Sequence, residues 1–253
     1  MHNFNEKVAI IIPIRMASTR LPGKFHADIE GKPMILHIID RARETNLTNI
    51  FVACDHLDHF KLVEDYGAHA IMTDEAHQSG SDRVFEALEL IDPEKQFEYV
   101  INLQGDIPFV DPKLIRSVIL ELYQDEKADI STMLAAFENL EDIKNPNFVK
   151  AIFNINHHAI YFSRLPIPLT MGTYNPEYYH HIGIYGYRRA SLEKFISLPQ
   201  SGLELAEKLE QLRAIENGMI IKVGITNEIP VSVDVPEDLG SARVFAKEFF
   251  KSS

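Results

Sequence analysis

Basic and hydroxyl side chains follow the first apolar run of the chain at once. In the stretch VAIIIPIRMASTRLPGK, a β-branched run leads directly into Arg15, Arg20 and Lys24. Together with the hydroxyls of Ser18 and Thr19 and the local backbone amides, these cations could hold phosphate oxygens. The stretch matches neither GxxxxGK[ST] nor GxGxxG, so it predicts a phosphate loop of another type. The alternative is an ordinary solvated basic loop.

Two aspartates each follow a short apolar run. Asp106 ends the strand-like part of INLQGDIP, and Asp234 ends the β-branched run of PVSVDVPEDL. A hard Mg²⁺ ion prefers one or two carboxylates together with phosphate oxygens, so the pair predicts a magnesium site. Each aspartate also has a structural interpretation. Asp106 could cap the backbone of a turn, and Asp234 could be the N-cap of the next helix.

The segment HQSGSDR, residues 77–83, is a further candidate. Its serines and glycine precede a run of helical spacing, so free backbone amides there could bind an anion or a base edge. An ordinary helix-capping segment is the alternative interpretation.

The second half of the chain carries weaker candidates. YFSRLPIP places Arg164 after a strand-like run, HHIGIYGY contains His181 and Tyr185, and KLEQLR places Glu210 and Gln211 on a predicted helix. Each of these motifs alone is more often a surface or core feature than a functional one. The histidine pairs do not have a zinc-binding spacing, so no zinc site is predicted.

The candidate residues are far apart in the sequence, so a single site requires a fold that brings their loops together. In the first half, strand-like runs alternate with segments of helical spacing, which predicts an α/β fold with a parallel sheet and helices on both faces. Ligands bind such sheets at the carboxyl ends of the strands. The second half has more antiparallel character. The predicted strands are 8–12, 49–53, 70–72, 99–103, 131–137, 149–153, 159–163, 181–187 and 219–225, and the predicted helices are 33–44, 56–66, 81–90, 112–123, 203–217 and 237–250.

Composition restricts the class of protein. The chain has 253 residues, of which 45% are hydrophobic and 25% charged, and its net charge is −12. These values are typical of a globular protein and disfavour general binding to nucleic acid or to an anionic membrane. The single cysteine, Cys54, excludes an intrachain disulfide and a cysteine-based zinc site. We expect a cytoplasmic protein, because the first apolar run is too short for a signal peptide or a membrane span.

Taken together, the motifs resemble one family. IIPIRMASTRLPGK, HQSGSDR, INLQGDIPF, YFSRLPIP, HIGIYGY, LEQLR and VSVDVPEDL occur in the order and spacing of the 3-deoxy-manno-octulosonate (KDO) cytidylyltransferases, which act in Gram-negative lipopolysaccharide synthesis. The resemblance covers residues 8–245 and implies a Rossmann-like, mixed but mostly parallel sheet of the nucleotide-diphospho-sugar transferase type, with a smaller antiparallel sugar-binding and dimerisation part. It also implies the reaction CTP + KDO → CMP-KDO + diphosphate, with Mg²⁺, in a homodimer.

The resemblance implies a single nucleotidyltransferase domain over 1–253, and a role for individual residues. Residues 1–130 would bind mainly the nucleotide, and residues 131–253 would supply the sugar site, the dimer contacts and the second metal carboxylate. The catalytic residues would be Arg15, Lys24, Asp106 and Asp234, and the metal ligands Asp106 and Asp234. The nucleotide would contact Arg15, Ser18, Arg20, Lys24, Ser79, Gly80, Arg83 and Gln104. The sugar acid would contact Gln104, Arg164, His181, Tyr185, Glu210 and Gln211.

Two positions depart from the family pattern. Ile107 stands where the family usually has the glutamate of QGDEP, and Met16 stands where an aromatic residue is common. Some relatives activate 8-amino-KDO, so a cytidylyltransferase for that sugar or another acidic sugar is the alternative function. The joint presence of the basic loop and both aspartates disfavours an inactive nucleotide-binding protein. The missing GxGxxG disfavours an NAD-dependent Rossmann enzyme.

Overall fold

The structure is a computed structural model that describes residues 2–18, 20–174 and 176–252, so Thr19 of the basic loop lies outside the described residues. The strands are β1 (Val8–Pro13), β2 (Asp28–Ile29), β3 (Lys32–Pro33), β4 (Asn49–Cys54), β5 (His69–Met72), β6 (Tyr99–Asn102), β7 (Ile130–Ala136), β8 (Lys150–Phe153), β9 (Ala159–Ser163), β10 (Tyr179–Arg188) and β11 (Ile221–Thr226). The α-helices are α1 (His2–Glu6), α2 (Met34–Arg43), α3 (Leu57–Asp65), α4 (Gly80–Ile91), α5 (Pro112–Gln124), α6 (Arg189–Ser197), α7 (Gly202–Glu207), α8 (Gln211–Glu216) and α9 (Pro236–Ser252). Short 3₁₀ helices cover Lys24–His26 and Leu140–Lys144.

The chain forms two compact units. Unit 1 comprises Met1–Arg116 and Pro230–Ser253, and unit 2 comprises Ser117–Ile229. The division falls inside α5, and the C-terminal segment that carries Asp234 belongs to unit 1. In the part of the chain that the structure describes, no helix is long and apolar enough to cross a membrane.

Unit 1 is built on parallel strands in the order β6-β1-β4-β5. All six residues of β1 are buried, as expected for an apolar strand covered on both faces. The parallel arrangement predicted from the alternating pattern is confirmed. Because these strands run in the same direction, the loops that follow β1, β4 and β6 start at the same edge of the sheet.

Unit 2 has mixed strand directions. β7 pairs antiparallel with β10 and parallel with β11, while β8 pairs antiparallel with both β10 and β9. The predicted antiparallel character of the second half is confirmed. On β8, Lys150 is completely buried, and its Nζ donates to the carbonyls of Asn145, Phe148 and Arg164 at 3.1, 2.7 and 2.5 Å. These bonds compensate in part for removing the ammonium from water.

The continuous helix predicted over 203–217 is wrong. The segment forms two short helices, α7 and α8, and Lys208 between them has φ 55° and ψ 45°. Arg213 Nε and Nη2 donate to the carboxylate of Glu204 at 2.8 and 2.6 Å, and both side chains are buried. Residues nine apart lie on opposite sides of a continuous helix, so this ion pair requires the break. The other predicted elements are present, with bounds that differ by at most two residues, while α1, α6 and the two-residue strands β2 and β3 were not predicted.

Candidate active site

An open cavity of about 340 Å³ lies in unit 1. Every residue predicted to bind the nucleotide lines it, and so do the two aspartates predicted to bind metal. The lining comes from the loops after β1 and β6, the start of α4, and the segment before α9. The fold therefore gathers at one place the motifs that are far apart in the sequence.

The loop after β1 is held by a carboxylate from the neighbouring strand. Met16 N donates to both oxygens of Asp55, at 2.9 and 3.1 Å. Asp55 directly follows β4, and its side chain is only 7% exposed. Arg15 and Ser18, on either side of Met16, line the cavity.

Opposite charges meet at the centre of the cavity. Lys24 Nζ lies 3.2 Å from Asp106 Oδ2 and 3.1 Å from Asp234 Oδ1, and Arg20 Nη2 lies 3.2 Å from the same oxygen of Asp234. The lysine side chain is 8% exposed, whereas those of Asp106 and Asp234 are 28% and 40% exposed. Burial raises the pKa of Asp106, Lys24 opposes the shift and Asp234 adds to it.

The backbone around Asp234 is fixed on both sides. Val233 N donates to Asp106 O at 2.8 Å, which ties the two carboxylate-bearing segments together. Asp238 Oδ2 accepts hydrogen bonds from Asp234 N at 2.9 Å and from Val235 N at 3.0 Å. Since α9 begins at Pro236, Asp234 is not its N-cap, and the carboxylate of Asp234 contacts Lys24 and Arg20 instead.

Gly105 allows the loop after β6 to approach the basic loop. A Cβ atom at this position would lie 2.7 Å from Phe25 Cε1 and 2.9 Å from Ile14 Cγ2. These distances are shorter than real Cβ contacts, so a side chain would push apart the segments that carry Lys24 and Asp106. Glycine is therefore required by packing at this position.

The start of α4 forms another wall of the cavity. Ser79 is the N-cap, and its Oγ accepts a hydrogen bond from Asp82 N at 3.1 Å. The capping interpretation of HQSGSDR is thus correct for Ser79, while the segment also lines the cavity. Gln104 is oriented by a bond from its Nε2 to Asn102 Oδ1, at 2.9 Å.

Arg83, on α4, is buried behind this wall. Its Nη1 donates to Thr73 Oγ1 at 2.6 Å, and its Nη2 lies 3.5 Å from Asp55 Oδ2. Asp55 was not among the residues predicted from the sequence. The signal was available, because Asp55 ends the β-branched run NIFVAC and the carboxyl ends of such strands are where ligands bind.

Apart from Gln104, the residues predicted to bind the sugar acid lie in unit 2. His181 is 7% exposed, its Nε2 lies 3.0 Å from Thr132 Oγ1, and burial lowers its pKa to about 3. Its ring centroid is 5.5 Å from that of Tyr185, whose pKa is raised well above its ordinary value by burial, with Tyr187 and Glu210 adding to the shift. Both groups are therefore neutral hydrogen-bonding groups near pH 7.

Gln211 is 6% exposed, and among the described residues its Nε2 has no hydrogen-bond partner. Arg164 is held by backbone carbonyls: Nε donates to Glu207 O at 2.8 Å, Nη1 to Pro146 O at 3.0 Å and Nη2 to Lys208 O at 3.3 Å. Binding of a sugar carboxylate by Arg164 stays a prediction. Ile107 is 7% exposed and belongs to the apolar core.

Comparisons with known sequences match this chain to cytidylyltransferases over most of its length. A family model described as cytidylyltransferase matches residues 9–223. A 3-deoxy-manno-octulosonate cytidylyltransferase of Paramagnetospirillum magneticum is 46% identical, over 94% of this chain and 97% of its own. That of Brucella anthropi is also 46% identical, over 96% and 97%, and that of Rhodopseudomonas palustris is 48% identical, over 92% and 95%.

Solved structures are also similar to this chain. A CMP:2-keto-3-deoxy-manno-octonic acid synthetase complexed with CTP superimposes with a TM-score of 0.89 and 35% identity, covering 96% of this chain and 99% of that one. A 4-diphosphocytidyl-2C-methyl-D-erythritol synthase of Anaerococcus prevotii reaches a TM-score of 0.62 at 15% identity, covering 96% and 99%. The second likeness concerns the fold alone.

Proposed function

The chain belongs to the 3-deoxy-manno-octulosonate cytidylyltransferases, and we propose that its cavity transfers CMP from CTP to KDO with release of diphosphate. One observation carries the assignment of the reaction to this cavity. Cations from the loop after β1 converge there with two carboxylates that are distant in the sequence. Such a set suits a triphosphate and a divalent cation bound together.

In this reaction, the anomeric hydroxyl of the sugar loses its proton and attacks the α-phosphorus of CTP, and the bond to the leaving diphosphate breaks. Negative charge grows on the leaving group, so positioning and charge stabilisation account for most of the catalysis. Arg15, Arg20 and Lys24 face this charge. Arg20 and Lys24 contact carboxylates of the same cavity, which keeps both cations there before substrate binds.

The resemblance also implies magnesium, and the residues present fit it. Asp106 and Asp234 supply hard oxygen ligands close enough together to contact one ammonium group, that of Lys24. When bound, Mg²⁺ would supply neutralisation of phosphate charge and Lewis-acid activation of the sugar hydroxyl. Lys24 would then be released from the carboxylates and could bind phosphate oxygens.

Unit 2 would bind the sugar acid. The neutral His181 and Tyr185 and the free Nε2 of Gln211 suit sugar hydroxyls. The guanidinium of Arg164 has five N–H donors on three nitrogens, and each nitrogen donates to one backbone carbonyl among the described residues, which uses three of the five. The remaining N–H groups can donate to the sugar carboxylate.

The protein is proposed to act as a homodimer in the cytoplasm, within lipopolysaccharide synthesis. Supporting the dimer, the segment after β9 exposes large apolar side chains: Leu165, Leu169, Met171 and Tyr174 are 70%, 82%, 86% and 77% exposed. Exposed apolar residues close together in the chain are typical of a covered interface. Light scattering should give a mass twice the 28.9 kDa of the chain. A monomer at micromolar concentration would contradict this part of the proposal.

The reaction is tested by measuring diphosphate release with CTP, Mg²⁺ and KDO, with each component omitted in turn. We expect release only when all three are present. A parallel assay with 8-amino-KDO decides the alternative substrate, since release with that sugar alone would keep the mechanism and change the substrate. No release with either sugar would overturn the proposal.

A further inference from the structure

Asp55 is a buried carboxylate that contacts the loop after β1 and the cavity-lining Arg83, and it is outside the set of residues predicted to bind substrate. It directly follows β4, and its side chain is 7% exposed. The loop after β1 approaches it from one side and α4 from the other. A charge removed from water in this way is expected to serve a defined set of partners.

One set of partners is the backbone of the basic loop. Both oxygens of Asp55 accept from Met16 N, at 2.9 and 3.1 Å, and Met16 O in turn accepts from Ser18 N at 2.8 Å. The tight turn between Arg15 and Ser18 is therefore anchored at its first residue. Both of these flanking side chains line the cavity.

The other partner is Arg83, which is 3% exposed. Its guanidinium is oriented by Asp55 at 3.5 Å and by Thr73 Oγ1 at 2.6 Å, and Thr73 Oγ1 itself donates to Cys54 O at 3.0 Å. His59 Nδ1 also lies 3.6 Å from Asp55. Burial lowers the pKa of His59 to about 4, so Arg83 is the cation that balances Asp55 near pH 7.

We infer that Asp55 is a positioning residue for nucleotide binding: it holds the phosphate loop, through Met16 N, and the Arg83 guanidinium in register with each other before CTP binds. This inference rests on the proposed function of the cavity. A positioning role and simple charge repulsion predict opposite changes in CTP affinity when the Asp55 charge is removed. Coulomb forces alone would let CTP bind more tightly once a nearby negative charge is removed, whereas loss of positioning weakens binding.

The test compares Asp55→Asn with Asp58→Asn. The first change keeps the size of the side chain but replaces one oxygen with an NH2 donor, so the single remaining oxygen cannot take over the contacts that both oxygens make with Met16 N and Arg83. The second removes the same charge three residues away, from a side chain that is 65% exposed. Binding of CTP is measured by calorimetry with Mg²⁺, and KM values are measured for CTP and for KDO.

For Asp55→Asn we expect the Kd and KM for CTP to rise by about tenfold or more, with the KM for KDO nearly unchanged. For Asp58→Asn we expect values close to those of the unaltered protein. Unchanged or tighter CTP binding in Asp55→Asn would overturn the inference. So would a loss confined to kcat and thermal stability, which is the result of a merely structural role. If the unaltered protein itself fails to bind CTP, the proposed function fails rather than the role of Asp55.

A second measurement needs no variant and so does not depend on Asp55→Asn folding. Hydrogen exchange of the nucleotide-free protein, resolved for single amides by NMR, reports on the Met16 N–H directly. We expect its exchange to be slowed by about tenfold or more relative to an unprotected amide. Exchange at the unprotected rate would show that Asp55 does not hold the loop.

Discussion

Lys24 in unit 1 and Lys150 in unit 2 are both nearly inaccessible, at 8% and 0% exposed, but their surroundings differ in kind. Lys24 contacts two carboxylates that line an open cavity. Lys150 donates to three backbone carbonyls. A carboxylate is charged and can bind another cation in place of a lysine. A backbone carbonyl is neutral, and its position is fixed by the fold. The same residue type therefore lines an open cavity in one unit and supports the fold in the other.

Arg20 in unit 1 and Arg213 in unit 2 differ in the same way as the two lysines. Arg20 contacts Asp234 with side chains that are 61% and 40% exposed, so water and ligands can compete with the pair. Arg213 makes a two-pronged bond to Glu204 with side chains that are 6% and 7% exposed. The Arg20–Asp234 pair at the cavity of unit 1 is thus open to exchange, whereas the buried Arg213–Glu204 pair of unit 2 contributes to stability. The predictions below test this contrast.

The largest expected effect is on stability, from Glu204→Gln in unit 2. Removing one partner of a buried ion pair leaves the Arg213 guanidinium with only the longer contact to Glu210, at 3.7 Å, so the free energy of unfolding should fall by about 3–5 kcal/mol. Urea unfolding followed by circular dichroism measures it. Glu216→Gln is the matched control, because Glu216 is exposed and an amide can still accept from Leu203 N. A loss of turnover without a loss of stability would break the comparison.

Next in size is the loss of activity from Asp106→Asn in unit 1. We expect kcat to fall by at least about 100-fold, or ~2.7 kcal/mol, because a group that stabilises charge in the transition state is removed. The same holds for Asp234→Asn. The exposed Asp65→Asn is the control, and steady-state diphosphate release is the measurement. Near-normal turnover in either variant would remove that residue from the metal and charge-stabilising role.

A smaller effect concerns the pH dependence of stability, through His181 in unit 2. Burial lowers its folded pKa to about 3 from an ordinary value of 6.5, so the unfolded chain takes up a proton first as the pH falls. The stability contributed by neutral His181 is present above pH 6.5 and is lost below it, amounting to about 2 kcal/mol by pH 5. Unfolding titrations should therefore show a shallower acid loss for His181→Gln than for the unaltered protein. Identical pH slopes would contradict the buried, neutral state.

The smallest expected effect is that of Lys24→Ala. We expect kcat to fall by about tenfold while the Kd for CTP changes less, because Lys24 acts mainly on charge that develops in the transition state and Arg15 and Arg20 remain. Single-turnover rates and calorimetry separate the two quantities. A change confined to the KM for CTP would show that Lys24 contributes only ground-state binding. The contrast between the two lysines would then be weaker.

The sequence was sufficient for unit 1 and its cavity. β1, β4 and β6 could be read from apolar runs, and because parallel strands end at one edge, Arg15 and Asp106 were predicted to meet there. Local patterns were also enough for the start of α4, where Ser79 is the N-cap, in agreement with the alternative interpretation of HQSGSDR as a capping segment. Asp55 obeys the same rule of position, but it is a single carboxylate outside the longer motifs and so was not predicted.

Unit 2 was harder to predict because its decisive contacts are not local. The 203–217 segment has helical periodicity, but the buried bond between Glu204 and Arg213 outweighs it and turns the chain at Lys208. In the same way, YFSR does not reveal that the guanidinium of Arg164 donates to carbonyls 18, 43 and 44 residues away. Hydrophobic periodicity indicates which face of a single helix or strand is buried, and it does not predict contacts between residues distant in the sequence.

The segment before α9 belongs to unit 1 although it follows unit 2 in the chain, and this order determines when the cavity is completed during synthesis. Asp106 and Asp234, whose segments are joined by the bond from Val233 N to Asp106 O, flank the whole of unit 2 in the chain. At a translation rate of about 5–20 residues per second, the ribosome adds the second carboxylate on the order of ten seconds after the first. A nascent chain therefore holds an incomplete cavity until unit 2 and the segment that carries Asp234 have been synthesised, and catalytic competence cannot arise before then.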